Sequence, residues 1–264
     1  MENETLIRFG IFAGLFALFA AIESLAPRRP RRQTRRARWV TNWGIVILDT
    51  LTLRALALAL PLLAVGAALD AEAQGWGLMN NVDMPYWIAV LVTVLFFDFA
   101  IWLQHLITHK VPILWRLHRV HHADLDIDVS TAIRFHPVEI GLSMLLKIGL
   151  VYLLGAPALG IILFEIILNG TAMFNHANIR LPLPLDAVLR KLLVTPDMHR
   201  VHHSVHRHEH DSNYGFALSI WDRMFRTYRP QPEAGHDGMT TGLEWQDERP
   251  SRLGWSLGLP FFRK

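Results

Sequence analysis

Cysteine is absent from all 264 residues. That excludes a disulfide framework, a thiolate zinc site and an iron–sulfur cluster built by the chain itself. Charge is also scarce. Asp, Glu, Lys and Arg make up 19%, against about 25% in an ordinary soluble domain, while hydrophobic residues reach 52%. This balance excludes a disordered chain and points to a membrane. Neither sign of charge dominates, since the formal net charge is +3. Internal repeats, low-complexity linkers, flavin or nicotinamide glycine motifs and a His-Pro-Gly-Gly haem segment are all missing. One residue type is over-supplied: there are 14 His.

The apolar stretch Leu6–Ala26 follows an acidic start, Met-Glu-Asn-Glu, with no basic segment before it and no small-residue cleavage site after it. It therefore reads as a membrane span and not as a signal peptide. Seven Arg follow between Arg28 and Arg38. Basic residues directly after an apolar helix hold that flank in the cytoplasm, so this cluster is read as a topology signal and not as a nucleic-acid site. A second apolar region, Gly44–Leu69, then precedes an acidic stretch (70–84) without Lys or Arg, which suits an external loop. A third span, Pro85–Gln104, returns the chain to the cytoplasm. Val138–Leu154 and Pro157–Phe174, joined by Gly155-Ala156-Pro157, suggest a membrane hairpin with both ends on the cytoplasmic side. Within it, Lys147 and Glu165 fall at similar depth and could pair. Leu185–Val194 reads as an amphipathic piece on the membrane surface. The expected fold is an all-α, polytopic membrane bundle with a cytoplasmic helical cap carrying a histidine-rich dimetal site. Its parts are N-terminal membrane helices and a basic loop (1–84), a catalytic region (85–229) and a C-terminal cytoplasmic tail (230–264).

The histidines fall into three clusters: His105-x3-His109, His118-x2-His121-His122 and His199-x2-His202-His203. With 14 His in 264 residues, chance supplies far fewer than one H-x-x-H-H, and there are two. On a helix these spacings place the rings of each cluster on one face. Neutral imidazole is a common metal ligand, and eight converging rings suffice for two ions. The topology brings all three clusters to one membrane face. His176, at the exit of the hairpin, suits a ninth ligand. His136, at its entry, suits a supporting role, because metal-bound imidazoles need acceptors on their other nitrogen. The carboxylates available for such support are Asp98, Glu139, Asp197 and Asp222. His206, His208, His210 and His236 lie in polar sequence and read as solvated. Phe96, Phe97, Phe99, Trp102 and Trp115 read either as core or as the lining of an acyl or sterol channel.

Several short motifs accompany the clusters: Arg134-x-His136-Pro137-x-Glu139, Phe174-x-His176-x-Asn178, Thr195-Pro196, Asp211-x-Asn213-Tyr214-Gly215 and Trp221-Asp222-Arg223-x-Phe225. Together with the order of the boxes and the hairpin between the second and third, residues 90–229 resemble the fatty acid hydroxylase/sterol desaturase superfamily of membrane di-iron oxygenases. The resemblance implies two non-haem iron ions held by His105, His109, His118, His121, His122, His199, His202 and His203, with His176 as the extra histidine between the boxes. Asp98, His136, Glu139, Asn178, Asp197 and Asn213 would stand behind the ligands. It also implies O2-dependent attack on a lipid C–H bond, hydroxylation or desaturation, of a sterol, fatty acyl or ether lipid. Iron suits such chemistry because zinc is redox-inert. Electrons must come from an external redox partner or a reduced pterin. Two other readings stand beside this one: a metal-dependent membrane lipid enzyme that does not activate O2, and a non-catalytic metal-binding membrane protein.

Overall fold

The computed structural model describes residues 4–59 and 63–262. Apart from three isolated β-bridges, the regular structure among these residues is helical. The principal helices are α1 (Glu4–Leu25), α2 (Arg35–Ala59), α3 (Ala64–Gln74), α4 (Tyr86–Lys110), α5 (Pro112–His122), α6 (Pro137–Leu154) and α7 (Ala158–His176). Four of them, α1, α4, α6 and α7, are long and apolar enough to cross a membrane. The remaining helices are short: α8 (Leu183–Leu189), α9 (Pro196–His202), α10 (Arg207–His210), α11 (Ile220–Met224), α12 (Gly235–Gly238) and α13 (Leu253–Gly258).

The second apolar region does not form the single span Gly44–Leu69. It is divided between α2 and α3, and residues 60–62 lie outside the described residues. Arg35, Arg36 and Arg38 lie in the first turn of α2, and Asp49 and Arg54 lie further along it. The small residues Ala64, Ala67 and Ala68 of α3 pack into the same core as Phe97, Val151, Ile161 and Phe164. The chain still passes from one end of the bundle to the other. Arg38 meets Asp124 and Asp128 at the histidine-bearing end, whereas Trp76 and Asn80 meet Gly155 at the turn between α6 and α7. That turn is tight. Gly155 and Gly77 both have positive φ, 67° and 91°, and a Cβ on Gly77 would lie 2.1 Å from the Gly155 nitrogen. Only glycine accepts both conditions.

Proline sets the geometry near the histidines. Pro112 begins α5 and holds Val111 in an extended conformation (φ −94°, ψ 114°), because the residue before proline is pushed out of the helical region. The chain therefore turns between α4 and α5, and their histidines come to face each other. Pro137 and Pro196 similarly begin α6 and α9. The expected Lys147–Glu165 pair is present at 2.6 Å, and Arg8 of α1 binds the same carboxylate. An acid with two cationic partners is the arrangement expected for charge at membrane depth. Phe97 packs against Phe164, and Trp102 stacks on Phe225. α8 leaves Leu183, Leu185 and Val188 exposed, as a helix lying on a membrane surface would.

Residues 230–262 are folded against the rest of the cap. Arg134 donates to the Pro250 carbonyl and to Ser256 Oγ, each at 2.8 Å, and Arg119 donates to the Phe262 carbonyl at 3.0 Å. Behind them lies a buried ionic network. Arg38 donates to Asp124 through Nε at 2.7 Å and Nη2 at 2.8 Å, and to Asp128 through Nη1 at 2.6 Å. All three side chains are 2% exposed or less. Burial alone would raise the Asp124 carboxyl, but Arg38 outweighs it and brings the pKa down to about 2. Asp128 also accepts from the Ser130 N–H at 2.9 Å and so caps the turn Val129–Ile133. Removing one partner of a buried pair leaves uncompensated charge. Arg38→Ala is therefore expected to destabilise the protein by about 3–5 kcal/mol, while Arg36→Ala, at an exposed position, changes stability by less than about 0.5 kcal/mol. Denaturant unfolding of the two variants in detergent micelles measures the difference.

Candidate metal centre

Each histidine is delivered by a helix end. His105 and His109 occupy one face of α4 in its last two turns, and His118, His121 and His122 close α5. His176 ends α7, His199 and His202 lie on α9, and His203 follows directly. The nine rings are at most 4% exposed and form two groups. One comprises His105, His109, His118, His122 and His202; the other comprises His121, His176, His199 and His203. Within each group, one nitrogen from every ring lies within 4.8 Å of the others. These are the nine histidines expected from the sequence, and the two groups cut across the three boxes: α5 and α9 each contribute to both.

The hydrogen bonds show why such groups suit metal ions. His105 Nδ1 donates to the Tyr214 carbonyl at 2.7 Å and His118 Nδ1 to Glu139 Oε1 at 2.7 Å. In neutral rings this leaves each Nε2 with a bare lone pair, and the two Nε2 atoms face each other at 3.0 Å. His176 Nδ1 donates to the Ala172 carbonyl, so its Nε2 carries one lone pair. Three other Nε2 atoms face it, from His121, His199 and His203, at 3.1, 3.0 and 3.2 Å. One lone pair cannot accept from all three. His202 Nδ1 donates to the Ser212 carbonyl at 2.7 Å, and its Nε2 is buried without a partner. Nitrogens bound at about 2.0–2.1 Å to one ion lie roughly 3 Å apart at right angles, which matches these separations. Burial, reinforced by the neighbouring rings, holds His121, His122, His199 and His203 well below the usual histidine range. Burial and His105 do the same for His202. These rings are therefore neutral near pH 7, as metal ligation requires.

The supporting residues divide into those that reach the rings and those that do not. Glu139 bonds His118 directly. Asn213, at φ 52°, bonds the Met198 carbonyl and both backbone groups of Arg229; it fixes the loop on which Ser212 and Tyr214 present their carbonyls. Asp98 accepts from Trp221 Nε1 at 2.8 Å and braces the same region from α4. His136, Asn178 and Asp197 bond none of the nine rings. His136 caps α6, with Nδ1 accepting from the Val138 N–H at 3.2 Å. Asn178 bonds the backbone of Arg29, and Asp197 pairs with Arg200 and Arg28. The strongest organiser of the loop is Asp222. It accepts from the Tyr214 and Gly215 N–H groups at 2.9 and 2.8 Å, from Trp102 at 3.1 Å and from Thr227 at 2.6 Å. Asp211, 3.4 Å from His109 Nδ1, is a further carboxylate at the site. His206 and His208 are exposed. His210 and His236, expected in solvent, are only 7% exposed: His210 is stacked on Trp115, and His236 is tucked toward Asp197.

The buried histidine groups could hold metal ions, and the four apolar helices are those of an integral membrane protein. The chain belongs to the fatty acid hydroxylase family, whose sequence profile it matches over residues 90–227. It is 31% identical over 163 residues to ornithine lipid hydroxylase OlsE of Rhizobium tropici, covering 59% of this chain and 47% of that protein. It is 29% identical to human alkylglycerol monooxygenase (60% of this chain, 34% of that protein) and 28% identical to rat cholesterol 25-hydroxylase (55% and 48%). The shared region thus spans about a third to a half of these relatives' own length. No solved structure matches the chain.

Glu139 offers a direct test of the donor set. Glu139→Ala is expected to weaken metal binding by about 10- to 100-fold, and Glu139→Gln, which keeps an acceptor for His118, by less. Chelator competition with the purified chain reads both.

Proposed function

We propose that the protein is a membrane di-iron lipid hydroxylase whose catalytic region is residues 85–229. In the reaction R–H + O2 + 2 e⁻ + 2 H⁺ → R–OH + H2O, one oxygen atom enters the lipid and the other leaves as water. The observation that carries this reading is the meeting of nine buried imidazoles in two groups, with ring nitrogens facing one another at hydrogen-bond distance. Iron bound there would supply the change of oxidation state that reduction of O2 demands and zinc lacks. The chain's own residues do the rest. Glu139 and the carbonyls of Tyr214, Ser212 and Ala172 fix four rings in one tautomer. The cap keeps the rings out of water, and the four apolar helices hold the site at the edge of the bilayer from which a lipid arrives. Hydroxylation is favoured over desaturation because the similar proteins carry the names hydroxylase and monooxygenase. The electrons come from an external donor, a redox protein or a reduced pterin.

The test is turnover by the iron-loaded full chain in lipid nanodiscs with a chemical reductant and ¹⁸O2. The expected result is two iron ions per chain and one labelled oxygen in the lipid product. His105→Ala, His121→Ala and His202→Ala abolish turnover, while His206→Ala leaves it unchanged. Metal loading with no O2 uptake on any sterol, acyl or ether lipid would favour a hydrolytic or purely metal-binding protein.

The site is also proposed to face the cytoplasm. The arginines at 28, 29, 32 and 38 fold onto the histidine-bearing end, and basic flanks are retained inside. A reporter fused after residue 264 is expected to read cytoplasmic and one inserted near Gln74 external. The same side for both would overturn this placement.

A further inference from the structure

The segment joining α1 to α2 is not a loose basic loop. Pro27 forms a β-bridge with Ile179, the Arg28 N–H donates to the Asn178 carbonyl at 2.9 Å, and Asn178 Oδ1 accepts from the Arg29 N–H at 3.0 Å. This strap walls a cleft of about 450 Å³, within the range of small-ligand sites. Into it face Arg28, Arg29, Arg32, Arg180 and Arg200, against Asp126 and Asp237.

The acids neutralise the arginines only in part: Asp126 lies 3.7 Å from Arg32 Nε, Asp237 and Asp197 both pair with Arg28, and Asp197 also binds Arg200. Asp126 is committed to the Arg32 and Gln33 N–H groups at 2.9 and 2.6 Å, and Asp237 is paired with Arg28. Arg32 is held by Gln246 and the carbonyls of Leu125 and Thr241. Among the described residues the Arg29 guanidinium reaches only the Met239 carbonyl, at 2.6 Å; burial and the charges of Arg32 and Arg28 hold it below the usual range. Arg180 is exposed and has no acidic or hydrogen-bonding partner among the described residues. Arg200 is 2% exposed, and its single acid, Asp197, is shared with Arg28. Guanidinium groups so placed match the oxygens of a phosphate.

The position of the cleft indicates where the phosphate comes from. Leu25, just before the strap, is 86% exposed; Leu183 and Val188, just after Arg180, are 76% and 63% exposed. The Pro27–Ile179 bridge sets these two apolar edges side by side. The cleft thus opens where the apolar belt of the bundle gives way to the polar cap, the level of lipid phosphates. Arg200, 2% exposed, lines the same cleft.

We propose that this cleft is a binding site for the phosphate headgroup of an anionic phospholipid. Binding there is separate from the oxidation proposed above, so failure of one leaves the other standing. The test is calorimetric titration of the metal-loaded full chain in neutral detergent with dihexanoyl phosphatidylglycerol, dihexanoylglycerol and inorganic phosphate. The phospholipid is expected to bind at least about tenfold more tightly than either of the others. Arg29→Gln/Arg180→Gln lowers that affinity at least about tenfold, whereas Arg36→Gln/Arg252→Gln, with the same loss of charge outside the cleft, changes it less than about twofold. Single Arg180→Gln, at an exposed position, shows a partial loss with an unchanged melting temperature. Equal binding of dihexanoylglycerol, equal losses in the two double variants, or inorganic phosphate binding as tightly as the phospholipid would each overturn the proposal.

Discussion

An imidazole that donates from Nδ1 presents only a lone pair at Nε2, and lone pairs set 3.0 Å apart in a dry interior repel each other unless a cation lies between them. His105 and His118 are held in that relation by the Tyr214 carbonyl and by Glu139, and His176 meets three rings with a single lone pair. Much of the architecture answers this constraint. The proline before α5 turns the chain so that the rings of α4 and α5 face each other. The hairpin of α6 and α7 carries Glu139 and His176 to the same level from opposite directions. Asp222, through four hydrogen bonds, stiffens the loop that supplies the carbonyls.

A second layer of charge lies just outside the first. Arg38, Asp124, Asp128 and Arg134 are almost completely buried, and they join α2, the segment after α5 and the C-terminal residues into one lid over the histidines. The strap of arginines at 28–32 then closes against Asn178, two residues beyond His176. Basic residues near a membrane end thus serve two purposes here. Some are sealed into the fold by buried acids, and others remain short of acidic partners around a cleft.

The features visible in the sequence were those written in local spacing. The i, i+3 and i, i+4 separations of His105–His109, His118–His122 and His199–His203 survive folding because each lies on or at the end of one helix. Lys147 and Glu165 could be paired because a hairpin converts sequence distance from its turn into depth. The features that were not visible depend on tertiary path. Backbone carbonyls carry no sequence signature, so the roles of Ala172, Ser212 and Tyr214 as acceptors could not be read. Asp197 and Asn178 lie two residues from His199 and His176 in sequence yet turn away from the rings, because residues close together on a helix or loop point to different faces. The Gly44–Leu69 segment reads as one span by apolar run length, but α2 ends at Ala59 and α3 begins at Ala64, where its alanines pack into the core with Phe97 and Phe164. His236 lies in polar sequence and is buried because residues 230–262 fold back onto the cap.

The division of the histidines between the two groups bears on the order in which they can assemble. α4 serves only the first group and α7 only the second, while α5 and α9 serve both. The first group is complete once synthesis has passed His202 and the second once it has passed His203, by which point all four apolar helices have been made. A nascent chain can gather imidazoles from α4 and α5, but it lacks the rings that close either pocket. The second group thus exists only once α5, α7 and α9 have come together, whereas four of the five rings of the first already lie within α4 and α5.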